Sequence, residues 1–89
     1  MAINKDFYCE LTDTFGGEAN YAWVTRFKVR ASTMRGAMLK VGRVTGLNFR
    51  CVMDSSDMRR YDSKSGATCL FVEQFDEENH GQYGRIESI

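Results

Sequence analysis

Three cations at alternate positions, Arg26, Lys28 and Arg30, carry the most distinctive chemistry in this chain of 89 residues. Alternate residues of an extended strand share a face, so these heads recur about every 6.6 to 7 Å. That interval resembles the phosphate spacing along one nucleic-acid strand, and a neighbouring Tyr or Trp can stack on bases. A second basic group, Arg59-Arg60-Tyr61, follows later in the chain. Both groups are candidate partner-binding residues. The competing reading is an ordinary solvated face, because charged outer faces are expected of amphipathic elements.

The side chains that perform catalysis are sparse. His80 is the sole imidazole and stands in a polar tail. A Ser-His-Asp or Cys-His arrangement would have to recruit it from there, so the expectation is that this is not an enzyme. Gly16-Gly17-Glu18 is not followed by Lys-Ser/Thr and does not read as a phosphate-cradling loop. Asp76-Glu77-Glu78 lacks the alternating ligands and glycine of a calcium loop. Cys9, Cys51 and Cys69 are an odd count without close pairs, and read as reduced core thiols. No zinc pattern is present, and no cofactor or metal is expected.

The formal net charge of zero hides a polarised chain. Residues 26–60 hold nine cations (Arg26, Lys28, Arg30, Arg35, Lys40, Arg43, Arg50, Arg59 and Arg60) against Asp54 and Asp57, a net +7. Residues 65–89 hold five carboxylates against Arg85, a net −4. A basic surface is therefore compatible with overall neutrality. Apolar content of 43% argues for one small globular domain and against disorder. Neither a secretory leader nor an apolar run long enough for a membrane span is visible, so the expectation is a cytoplasmic protein without a membrane partner.

The elements that must position these residues follow from periodicity. Tyr21–Ala31 alternates, with Tyr21, Trp23, Thr25, Phe27 and Val29 opposite the cations, which predicts a strand. Ser32 offers a helix N-cap, Met34, Ala37, Met38, Val41 and Val44 recur at helical spacing, and Gly46 reads as the stop. Arg35, Leu39 and Arg43 then lie on the helix back, away from the cations of the strand. Gly36 and Gly42 each cost the helix about 1 kcal/mol relative to Ala, a cost that either close packing or a shorter helix accounts for. Asp6–Thr12 is a first strand, joined to the second by a glycine-bearing loop over Asp13–Asn20 that is either a contact element or an ordinary connection. Asn48–Asp54, a short Met58–Asp62 and Ala67–Phe75 supply the remaining strands.

The fold expected is α+β, a single helix packed on a mostly antiparallel sheet of four to five strands, in the order β-β-α-β-(β)-β. Residues 1–75 form the domain and 76–89 a polar C-terminal extension. In Ala67–Phe75, Cys69, Phe71 and Phe75 alternate with Leu70 and Val72, so both faces are apolar. The helix covers one face only. The open face is expected to combine Ala22, Val24, Leu70 and Val72 within a rim of Arg26, Lys28 and Arg30. An apolar centre with a charged border suits a protein partner or a homodimer, with nucleic acid the alternative.

The run Phe15-Gly16-Gly17-Glu18-Ala19-Asn20-Tyr21-Ala22-Trp23-Val24, with Arg35-Gly36-Ala37, Asp57-Met58 and the apolar strand Ala67–Phe75, resembles small uncharacterised proteins encoded by bacteriophages. The likeness covers about residues 7–75. It implies an accessory phage protein of the host bacterial cytoplasm that acts by binding. Such proteins often block host enzymes or defence complexes, so the partner implied is a host protein or ribonucleoprotein, as for an anti-CRISPR-like inhibitor. The other function classes kept open are a nucleic-acid-binding accessory protein and a sponge for a nucleotide signal.

Overall fold

Strand alternation and cap chemistry decide the first three elements. In the computed structural model, residues 4–13, 24–64, 66, 68–81 and 85–89 are described, without the side chains of residues 13 and 24. Strand β1 (Lys5–Asp13) pairs antiparallel with β2 (Val24–Ala31), Phe7 opposite Val29 and Cys9 opposite Phe27. Because β2 stays paired through Ala31, two residues remain for the chain to reverse. Thr33, not Ser32, is therefore the N-cap of helix α1 (Met34–Thr45). Its Oγ1 accepts from Gly36 N–H at 3.0 Å. Gly46 ends the helix in the left-handed region at φ 77°, where a side chain would be strained.

Helix α1 buries Ala37, Met38 and Val41 against β2, β5 and β1. Val44, expected inside, is 58% exposed at the edge of that stripe, while Thr45 turns its hydroxyl back to the Val41 carbonyl at 2.7 Å. Strands β3 (Phe49–Asp54), β4 (Met58–Ser63) and β5 (Thr68–Gln74) continue the sheet antiparallel, with a bulge in β3 between Cys51 and Met53. The order across the sheet is β3-β4-β5-β1-β2-β6, where β6 is Glu87–Ser88. The α+β class is as expected. Among the described residues the sheet has six strands rather than four or five.

Two sequence expectations are corrected here. Residues 76–81 and 85–89 are built into the domain instead of extending from it. A one-turn helix α2 (Glu77–His80) follows β5, and β6 adds parallel to β2, with Arg30 N–H donating to the Ile89 carbonyl and Ile89 N–H to that of Lys28. The phase of β5 is also the reverse of that expected. Its register sets Leu70 opposite Leu11 and Val72 opposite Cys9, so both lie beneath α1 with no exposed surface. The face away from α1 receives Cys69, Phe71 and Glu73 instead. The Gly16-Gly17 loop, Tyr21, Ala22, Trp23 and Tyr83 lie outside the described residues.

Candidate contact surface

Two of the three cations of β2 are met by carboxylates directly across the ladder. Register places Asp6 opposite Arg30, Tyr8 opposite Lys28 and Glu10 opposite Arg26. Arg30 lies 3.5 Å from the Asp6 carboxylate, and Arg26 lies 3.9 Å from that of Glu10, which also accepts the Tyr8 hydroxyl at 2.7 Å. Lys28 sits over the Phe75 ring, 4.6 Å from its centroid. The expected basic stripe is thus a mixed-charge ladder.

The Arg59-Arg60-Tyr61 group is divided between the two faces of β4. Tyr61 is 3% exposed and packs in the core beneath α1, so it is removed from the partner-binding set. Arg59, on the same face, donates to the Tyr61 hydroxyl at 3.4 Å and to Asp54 at 2.9 Å; these two contacts raise its pKa, Tyr61 first. Arg60 points to the opposite face and binds Asp62 at 3.1 Å. Of the expected self-association face, Leu70 and Val72 are core residues, Val24 is described for its backbone alone, and Ala22 is not described.

His80 is fixed at both nitrogens. It stacks on Tyr8 with ring centroids 4.1 Å apart and planes 5° from parallel. The Asp76 N–H donates to Nδ1 at 2.8 Å, which leaves the proton on Nε2, and Nε2 meets Glu73 Oε1 at 2.6 Å. An imidazole held in this way clamps α2 onto the sheet, with neither nitrogen left to take a substrate proton. Burial pushes the Cys9 thiol up to about 12, so it remains a neutral packing group. Cys69 is also buried, whereas Cys51 on the edge strand β3 is exposed, contrary to the core position expected for all three thiols. Among the described residues, no group of three or more His, Cys, Asp or Glu is placed to hold a metal ion.

Three cations without a carboxylate partner among the described residues share one helix. Arg35, Lys40 and Arg43 project from α1, which contains no acidic residue, and none forms an ion pair with a described residue. Arg35, Leu39 and Arg43 follow one another at single-turn intervals, making one ridge along the outer face. Lys40 and Val44 form the adjoining row. Leu39 is 46% exposed, so this face alternates cations with aliphatic surface.

Beside the ridge, α1 and the start of β3 border an open groove of about 460 Å³. Leu39, Gly42, Leu47 and Phe49 line it, and Arg43 and Lys64 stand at its rim. Lys64 is held there by its backbone N–H, which donates to the Asn48 carbonyl at 2.9 Å. Sequence reasoning places Arg35, Leu39 and Arg43 on the helix back and gives that side only a lesser role, a pocket for a small anionic ligand between helix back and loop. The available signal was the absence of any carboxylate between Met34 and Asp54. No family model, curated protein or solved structure matches the chain. Among the described residues, no helix is long and apolar enough to cross a membrane.

Proposed function

We propose that this chain is a small non-enzymatic binding protein whose contact surface is the outer face of α1. The reading includes its setting: a phage-type accessory protein that engages and inhibits a host protein or ribonucleoprotein in the bacterial cytoplasm. The observation that carries it is the segregation of charge. The cations of β2 and β4 have partners within the fold, whereas Arg35, Lys40 and Arg43 form no ion pair with a described residue and flank the exposed Leu39 and Val44. Unpaired charge remains available to a partner, and interleaved aliphatic surface gains from being removed from water.

The absence of carboxylates on α1 favours a second reading, in which phosphates meet the same cations. Phosphate contacts draw nothing from exposed Leu39 and Val44, and a protein interface does, so the protein partner is preferred. Affinity capture from expressing bacterial cells, followed by a native mass measurement, tests the proposal. It should recover one host partner in near-stoichiometric amount. Recovery of the chain by itself, or a mobility shift with DNA or RNA at low salt that Arg35→Glu abolishes, would overturn the protein reading.

A further inference from the structure

We infer that the groove between α1 and β3 is a docking site for an acidic peptide segment of a partner protein. One apolar side chain of that segment enters the groove, and its neighbouring carboxylates meet Arg43 and Lys64. The inference rests on the binding role proposed above and names the partner chemistry.

The groove is built by the fold. Helix α1 stops at Gly46, and the chain turns so tightly into Leu47 that the Leu47 carbonyl lies 2.8 Å from where a Cβ on Gly42 would be. That approach lays Leu47 and Phe49 against the core cluster while leaving them partly exposed toward the groove. Its volume, about 460 Å³, falls within the range of roughly 300 to 1,000 Å³ occupied by ligand sites. An apolar floor with convergent polar groups at the rim is the composition that recognises an amphipathic ligand.

Charge selects the occupant. Arg43 and Lys64 are exposed, and neither is paired with a carboxylate among the described residues. The C-terminal end of α1 brings about half a negative charge to the same place, which the two full positive charges outweigh. The field at the mouth is therefore positive, and an acidic segment is drawn in where a basic one is repelled. Another hollow, about 670 Å³ beside α2, has the opposite sign, being lined by Asp57, Glu73, Asp76 and Glu77.

Fluorescence anisotropy with a short labelled peptide of alternating leucine and glutamate tests the assignment on the full chain at low salt. The peptide should bind, and the R43E/K64E double variant should bind about tenfold more weakly or worse, because both rim contacts become repulsive. Replacing the peptide's leucines by serine should weaken binding comparably. Equal binding by the wild type and R43E/K64E, or by the leucine and serine peptides, would overturn the inference. So would a wild-type dimer in native mass spectra that R43E/K64E dissolves, since a second copy would then occupy the groove. Arg35→Glu lies outside the groove on the same helix and separates the two proposals. If it abolishes host-partner capture while R43E/K64E does not, the groove inference fails and the binding role stands. Thermal melts of each variant confirm folding, which exposed positions 35, 43 and 64 leave unchanged.

Discussion

Replacing Gly42 by Ala sets a gain in helix propensity against a steric collision, and the structure decides which wins. Ala in a helix interior is favoured over Gly by about 1 kcal/mol. The new Cβ at position 42 would stand 2.8 Å from the Leu47 carbonyl oxygen, closer than van der Waals contact permits. That oxygen belongs to backbone locked between the Gly46 cap and the first residue of β3, so it cannot rotate away. Forcing an extra carbon into packed structure costs about 1–3 kcal/mol. At the upper half of that range the net is a loss of about 1 to 2 kcal/mol, equivalent to roughly 5 to 10 °C in Tm for a domain of this size.

Gly36→Ala is the internal control. Its Cβ would meet only the Thr33 hydroxyl at 3.3 Å and the Ala31 methyl at 3.5 Å, contacts that a side chain relieves by a small shift. Thermal melts of both variants should show G36A equal to or above the wild type and G42A below it. A G42A protein as stable as the wild type would refute the close approach of Leu47, and with it the geometry of the groove.

The phase of β5 is tested by Leu70→Ala, which should cost about 2–5 kcal/mol in denaturant unfolding, against a markedly smaller loss for Phe71→Ala on the other face; comparable losses would contradict the register. His80→Ala removes the stack on Tyr8 and the acceptor for the Asp76 N–H, a loss of about 2 kcal/mol. Hydrogen exchange at residues 76–81 should accelerate in that variant before the sheet is affected. Stability should also decline with pH above about 9. There the unfolded Cys9 thiol loses its proton while the folded one, with its pKa near 12, keeps it. The contribution reaches about 1.4 kcal/mol by pH 10, and a Cys9→Ala protein should lack that part of the slope.

How far the sequence reveals this fold depends on whether a residue's neighbours are local. Phe7, Cys9 and Leu11 alternate with polar residues, and Phe27 and Val29 with cations, so the inward faces of β1 and β2 are legible from their own segments. The Gly46 stop is legible for the same reason. The phase of β5 is not, because Leu70, Phe71 and Val72 are all apolar and only pairing with β1 chooses between the faces. Nor are β6, which is two residues long, or α2, which depends on His80 reaching Tyr8 from a distant strand.

The pairing of the β2 cations is hidden by the same gap. A count along residues 26–60 shows a large positive excess, yet the carboxylates that answer Arg26 and Arg30 come from Glu10 and Asp6, outside that window. Their alternation in β1 was visible, but its meaning needed the register. Conversely, the helix that carries Arg35 and Arg43 has no acids of its own, a feature readable from α1 by itself.

The most direct measurement is a side-by-side capture of host protein by wild type, an R26E/R30E variant and an R35E/R43E variant, each verified as folded. Stoichiometric partner recovery with wild type and R26E/R30E, together with its loss in R35E/R43E, is the result expected of a surface on α1. Recovery with R35E/R43E but not with R26E/R30E would place the contact on β2 and contradict the account.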